Sequence, residues 1–221
     1  MKKRKVILFA VLLCLFANSL AAQTKEAESE TSDNRRVDFT FKFPTSFYLN
    51  TGDKKHSAPS PIYFFPGIGC VIPNDFWISF QPGLNFNYSY YLWYEGRALP
   101  AEIENRTATT LSFMLDLPAV FAVSLGNTKL ELNVGPSILI RYGWKSNGTS
   151  EQEFEDVTRI NNYFWSNARF LYIASGLSWM FDLPFGTKFG PFINFYLPLG
   201  SLIAKEKMNG MILSAGLKVT L

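Results

Sequence analysis

Strict two-residue alternation over residues 76–94 constrains the fold of this chain more than any other feature. Every even position in this stretch is apolar. The odd positions are mainly Ser, Gln, Gly and Asn, with Trp77, Tyr91 and Trp93 near the ends. A helix with this pattern would expose apolar side chains all around its axis, whereas a strand places them on one face. The stretch therefore predicts a long β-strand with two chemically different faces.

The same alternation recurs in seven further segments, so eight strands are expected in the region 37–221. The eight segments are 37–43, 62–72, 76–94, 111–125, 129–144, 171–181, 189–199 and 211–221. Gaps at 73–75, 126–128 and 183–187 are short and read as tight turns. They alternate with longer gaps at about 49–60, 95–108, 145–165 and 203–210. This order of short and long connections is typical of an antiparallel up-and-down barrel in an outer membrane.

Charge decides between a soluble sheet and one that crosses a membrane. No Asp, Glu, Lys or Arg occurs on the apolar face of any of the eight segments. The opposite face is rich in Gly, Ser, Asn and Thr and carries a few charges. A Lys or Arg facing lipid at the bilayer midplane costs ~2–4 kcal/mol, which explains a charge-free outer face. The edge of an open sheet would leave backbone N–H and C=O groups unpaired in hydrocarbon. The strands are therefore expected to close into an all-β, eight-stranded transmembrane barrel.

The ends of the strands and the loops between them fit the same arrangement. Aromatic side chains near strand ends are expected to form interfacial girdles. They are Phe47, Tyr48, Phe76, Trp77, Trp93, Tyr94, Tyr142, Trp144, Phe164 and Trp165. The longest gap, 145–165, is rich in acidic residues and is expected to be a solvated loop outside the membrane.

The first 36 residues are expected to lie outside the barrel. Residues 1–22 combine a basic start, an apolar run of 12 residues and a small-residue end, the layout of a cleaved signal peptide. Cleavage is expected after Ala21 or Ala22, and 23–36 read as a flexible periplasmic tail. Without residues 1–22, 17 basic residues face 18 acidic ones, so the basic pI of 8.8 gives no reason to expect nucleic-acid binding.

Residues of the polar face are the candidates for lining the lumen. They are Lys42, Asp116, Glu131, Arg141 and Lys218, together with the bulky Trp77, Tyr91, Phe192 and Tyr196. No nucleophile with an adjacent base, no metal-ligand spacing and no phosphate loop is present, so we expect no catalytic site, no metal and no cofactor. Cys70 is the one cysteine left after signal removal and is expected to be a small apolar residue.

A family resemblance rests on three short motifs. The final stretch, with Ser214, Gly216, Val219 and Leu221, resembles the C-terminal assembly signal of outer-membrane proteins, although Leu replaces the commonest terminal Phe. Residues 115–118 and 133–137 resemble strands four and five of small eight-stranded barrels of the OmpA/OmpX/OmpW-like group. The resemblance implies a Gram-negative outer-membrane protein, monomeric by default. Its implied partners are outer-membrane lipids and, during assembly, the insertion machinery.

Three functions and one competing fold remain open from the sequence. An OmpW-like, narrow lumen would conduct or bind small hydrophobic solutes, whereas the bulky inner residues could instead plug it. A plugged barrel would be structural or adhesin-like, displaying its loops to host surface ligands. A lipid-modifying enzyme is the least favoured, since the sole histidine, His56, is in a loop. The competing fold is a soluble lipocalin-type barrel, which would place the apolar face inside.

Overall fold

The computed structural model describes residues 37–49, 62–72, 78–145, 151–203 and 210–221. Residues 37–221 belong to one compact unit. The expected signal peptide (1–22) and periplasmic tail (23–36) lie outside the described residues, and so do His56 and Trp77.

Twelve described strands form one antiparallel sheet. They are β1 (Asp38–Leu49), β2 (Ile62–Phe64), β3 (Gly67–Val71), β4 (Ile78–Phe80), β5 (Gly83–Tyr94), β6 (Arg97–Pro100), β7 (Ala108–Asp116), β8 (Ala119–Leu125), β9 (Thr128–Lys145), β10 (Leu171–Asp182), β11 (Lys188–Pro198) and β12 (Met211–Thr220). Hydrogen bonding runs from β1 through β3, β5, β7, β9, β10, β11 and β12 and back to β1. The predicted closed, eight-stranded antiparallel barrel is confirmed.

Three of the eight predicted strands are interrupted, each at a proline. The breaks fall at Pro66 between β2 and β3, at Pro82 between β4 and β5, and at Pro118 between β7 and β8. Proline has no backbone donor and cannot complete the ladder. Neighbouring strands still use the proline carbonyls: the Cys70 amide donates to Pro82 and the Gln81 amide to Pro118, at 3.0 and 3.1 Å. The barrel wall therefore continues across the breaks.

One predicted strand end and two predicted connections differ from the structure. β1 continues to Leu49, beyond the predicted end at residue 43, and its partner β12 follows it over the whole extension. β6 adds a short hairpin to β5 within the gap expected at 95–108. The expected solvated loop at 145–165 is wrong, because most of it forms helix α1 (Glu151–Trp165).

The remaining helical segments are short. Helix α2 (Leu199–Ile203) follows β11, and 3-10 turns lie at Ile103–Asn105, Ser166–Ala168 and Pro184–Gly186. No helix in the described part of the chain is long and apolar enough to cross a bilayer.

The two faces of the barrel are inverted relative to a water-soluble protein. Large apolar side chains project from the outer face and are exposed. Examples from six of the eight ring strands are Phe43, Ile68, Phe86, Leu132, Ile193 and Leu217. Polar and charged side chains are buried on the inner face. Among them are Thr40, Ser46, Asn85, Asp116, Glu131, Ser137, Arg141, Asn194 and Lys218. The lipocalin-type alternative, with its apolar face inside, is contradicted by this orientation.

Candidate functional site in the barrel interior

A buried ion pair crosses the lumen near the end with the short turns. Lys218 on β12 is 3% exposed, and its Nζ lies 2.7 Å from Glu131 Oε2 on β9. The same ammonium donates to Gln81 Oε1 at 2.7 Å. Lys129 Nζ approaches the other Glu131 oxygen at 3.9 Å. The ammonium and the carboxylate each have charged and polar partners, so neither charge is left uncompensated in the interior.

Asp116, at the end of β7, is the centre of a second network. Asn85 Nδ2 and Ser137 Oγ each donate to its carboxylate at 2.7 Å, and the Tyr196 hydroxyl donates at 3.1 Å. Lys42 Nζ lies 3.9 Å from the same carboxylate. These partners come from β5, β9, β11 and β1, so the network links most of the barrel circumference. Several hydrogen bonds to an ionised group make this a strong structural cross-link.

The half of the interior near the long loops is aromatic and holds a buried arginine. Arg141 on β9 is 4% exposed. Its Nη1 lies 3.5 Å from the Tyr91 hydroxyl, and its Nη2 donates to the backbone carbonyl of Arg169 at 3.1 Å. The guanidinium carbon stands 4.1 Å from the centre of the Phe164 ring. Such stacking on an aromatic face is favourable for a desolvated cation.

Helix α1 packs against the inner face at this end. Val157, Ile160 and Phe164 are buried on one side of the helix, together with Tyr91, Ala98 and Ala108 of the barrel end. The Phe164 ring meets the Tyr91 ring edge-on at 4.8 Å. Phe164 was expected in an interfacial girdle. That prediction is wrong, because the Phe164 side chain is only 1% exposed and lies inside the long-loop end of the barrel. We refer to helix α1 in this position as the cap.

A pair of side-chain hydrogen bonds joins the cap to the barrel wall. The Gly143 amide of β9 donates to Asn161 Oδ1 at 2.8 Å, and Asn161 Nδ2 donates to the Gly143 carbonyl at 2.8 Å. Asn161 Nδ2 also donates to the Val157 carbonyl within the helix at 3.1 Å. The amide side chain thus pairs with β9 as a neighbouring strand would, beyond the point where the β9–β10 ladder ends at Ile138.

Two small cavities lie between the described side chains of the interior. One cavity of about 10 Å³ lies among Tyr48, Tyr63, Asn87 and Ser89, and a second of about 20 Å³ lies beside Arg141. Cavities of this size hold one or two water molecules. Interior side chains just fill a barrel of eight strands, and this barrel follows that rule.

The structure buries most of the predicted lumen residues on the inner face. Lys42, Asp116, Glu131 and Lys218 belong to the two networks described above, Tyr196 to the second of them, and Arg141 and Tyr91 to the cap contacts. Phe192 is buried on β11, opposite Gly216. In the C-terminal segment, Ser214 bonds Ser46 at 2.5 Å, while the Leu221 side chain is exposed on the outer side.

Four residues that shape the interior were not among the predicted site residues. Gln81 and Asn85 are at odd positions of the strand predicted at 76–94. The alternation therefore predicted that they lie on the inner face, but it did not predict their hydrogen-bond partners. Asn161 is in the expected loop at 145–165, and Arg169 lies between that loop and the strand predicted at 171–181, where no strand pattern applies. Among the described residues, no group of three His, Cys, Asp or Glu side chains is placed to hold a metal ion.

The side of the cap away from the barrel is charged and exposed. Arg159 pairs with Glu155 at 3.1 Å and with Asp156 at 2.9 Å, one turn apart on the helix. Nearby connections expose Glu102, Glu104 and the 60% exposed Ile103. Exposed pairs of this kind contribute little stability, so these residues are free to vary with function.

Comparisons with known proteins find similarity in structure only. No protein-family model matches the sequence, and no curated protein matches it. The structure is similar to that of Neisserial surface protein A (NspA), with a TM-score of 0.51 and 8% identity over 84% of this chain and 96% of that chain. A weaker likeness, with a TM-score of 0.42 and 11% identity, links it to Ail, the attachment invasion locus protein of Yersinia pestis, over 83% of this chain and 95% of that chain. The closed ring of eight strands and the similarity to NspA agree. The chain has the fold of the small eight-stranded outer-membrane β-barrel proteins.

Proposed function

We propose that this protein is an integral outer-membrane barrel with a closed lumen, which presents its folded cap to partners at the cell surface. One observation carries this proposal: the described side chains pack the interior from the Lys218–Glu131 pair up to the cap. The inverted faces support a lipid environment, because a water-soluble protein would bury the apolar side chains that this barrel exposes.

The filled interior favours the plugged barrel over conduction of small hydrophobic solutes. A solute crossing the barrel would have to displace the cap and also pass two hydrogen-bonded charge networks. Breaking either network exposes unpaired charges in a confined space, which is costly. The two cavities are far smaller than the ~300–1,000 Å³ sites that hold small molecules.

The cap supplies the feature that favours surface display. Its inner side is fixed by Phe164 and Asn161, whereas its outer side carries exposed charges that contribute little to stability. A binding surface needs this combination of rigid support and freely variable side chains. In this proposal the partners are outer-membrane lipids, the insertion machinery during assembly, and ligands on host surfaces. The barrel is a monomer and has no enzymatic role.

A charge exchange on the cap tests the display function. In the double variant Glu155→Arg with Arg159→Glu, the helix keeps an i,i+4 ion pair but presents the opposite charge at each position. We expect bacteria that produce the native protein to adhere to host cells or matrix proteins more than bacteria that lack it. We expect the double variant to lower that adhesion several-fold at equal surface amounts, as measured by counting bound bacteria.

The control places a new charge at the other end of the barrel. Asn127→Arg, in the exposed turn between β8 and β9, should leave adhesion unchanged. In parallel, the purified barrel should give no steady conductance in planar bilayers and no accelerated uptake of a small apolar solute into vesicles. Uptake above that of empty vesicles, or adhesion that is the same with and without the protein, would contradict the proposal.

A further inference from the structure

Arg141 carries a buried charge without a carboxylate partner in the described part of the chain. Its guanidinium contacts a tyrosine hydroxyl, a backbone carbonyl and the face of Phe164, none of which bears a negative charge. The two buried carboxylates among the described residues, Asp116 and Glu131, are held by other partners. An isolated buried cation is strongly unfavourable unless a counter-charge compensates it.

The Nε donor of the same guanidinium is also unpaired among the described residues. Arg141 Nε is buried and has no hydrogen-bond partner there, whereas Nη1 and Nη2 each have one. Leaving a buried donor unsatisfied costs its desolvation energy. Among the described residues, Arg141 therefore has neither a negatively charged neighbour nor an acceptor for its Nε.

A cavity of about 20 Å³ lies against this arginine and is lined by a second one. Its lining includes Arg141, Arg169, Tyr48, Tyr172 and Ser201. The Arg169 guanidinium stacks on the Tyr163 ring at 3.9 Å and bonds Ser166. Two guanidiniums and four hydroxyl-bearing side chains, Tyr163 being the fourth, form the polar part of this lining, and every one of these groups can donate a hydrogen bond. The cavity of about 10 Å³ is lined by neutral hydroxyl and amide groups instead and suits water.

We propose that the cavity beside Arg141 and Arg169 binds a small inorganic anion, of which chloride is the expected physiological example. The cavity has room for a particle about the size of one or two water molecules, so a halide fits, whereas sulfate and organic acids are too large. The anion supplies the negative charge that Arg141 lacks and an acceptor for its Nε.

This site joins the cap to the barrel. Arg141 belongs to β9, Tyr91 to β5 and Phe164 to α1, and all three meet at the guanidinium. An anion that neutralises Arg141 therefore stabilises the contact between the cap and the barrel wall. Because a ligand that binds only the folded state raises its stability, chloride should raise the unfolding temperature.

The test uses the folded protein in detergent, with unfolding followed by the change in gel mobility on heating. At constant sodium concentration, replacing gluconate with chloride or bromide should raise the unfolding midpoint by a few degrees, whereas sulfate should not. Arg141→Met should abolish the chloride-dependent shift. Arg159→Met, which removes an exposed arginine from helix α1, should retain it.

An equal chloride-dependent shift in Arg141→Met, or no difference between chloride and gluconate in the native protein, would overturn the anion site. If Arg141→Met does not fold, the native protein decides the question by chlorine-35 NMR. Specific broadening of the chloride resonance that bromide reverses would support the site, and the absence of such broadening would overturn it.

Discussion

Lys218→Met should destabilise the folded barrel by about 3–5 kcal/mol, the range for removing one partner of a buried ion pair. Glu131 would keep its negative charge but lose the ammonium at 2.7 Å, and Lys129 at 3.9 Å is a poor replacement. Gln81 would also lose a donor at 2.7 Å. The measurement is urea unfolding of the barrel in lipid vesicles, followed by mobility of unheated samples on gels.

Two further variants make this prediction specific to the pair. Adding Glu131→Gln to Lys218→Met removes the orphaned charge and should restore part of the lost stability. Lys188→Met, at the half-buried start of β11, should change stability by no more than about 0.5 kcal/mol. Equal losses for Lys218→Met and Lys188→Met would show that the interior ion pair does not stabilise this barrel.

Ile193→Arg should cost about 2–4 kcal/mol in a bilayer, the cost of a cationic side chain facing lipid near the midplane. Ile193 is 45% exposed on the outer face of β11, and its partners Leu177 and Ala215 carry no charge. An arginine there has no acceptor within the wall and must draw water or headgroups toward the membrane centre. The yield of folded protein in vesicles and its urea midpoint should both fall.

Ile103→Arg is the matched control for this substitution. Ile103 is 60% exposed in a connection at the long-loop end, outside the barrel strands. The control should therefore fold and unfold as the native protein does. If Ile193→Arg is as harmless as Ile103→Arg, the outer face is in contact with water and not with lipid.

The alternation of apolar and polar residues predicted the barrel because successive side chains of a strand point to opposite faces. The period of two assigns each side chain to the wall's inner or outer face without knowledge of any partner. It cannot say which inner residues meet across the lumen. Lys218 and Glu131 are 87 positions apart in sequence, and their contact depends on the stagger of the closed ring.

The sequence of the cap contains a helical pattern that a search for two-residue alternation does not detect. Val157, Ile160 and Phe164 follow the i, i+3, i+7 spacing of one helix face, and acidic residues precede them. That pattern predicts an amphipathic helix within the expected loop. The position of this helix inside the barrel could not be predicted from sequence. It depends on the hydrogen bonds between the Asn161 side chain and the backbone of Gly143.

The early predicted end of the first strand has a local cause. Pro44 follows Phe43, and proline normally marks the end of a strand because it lacks a donor. In the structure Pro44 continues β1, paired in register with Gly216 of β12, and its carbonyl accepts from the Phe65 amide at 3.1 Å. The neighbouring strands thus tolerate the missing donor.

Spin labels placed singly along β11 test most directly whether the apolar face meets lipid. In a Cys70→Ser background, single cysteines at Ile193, Phe195, Asn194 and Tyr196 would carry the label in vesicles. Labels at the odd positions should be accessible to dissolved oxygen and shielded from a water-soluble nickel chelate, while even positions should be shielded from both. Access of the nickel chelate to the odd positions would contradict the membrane barrel.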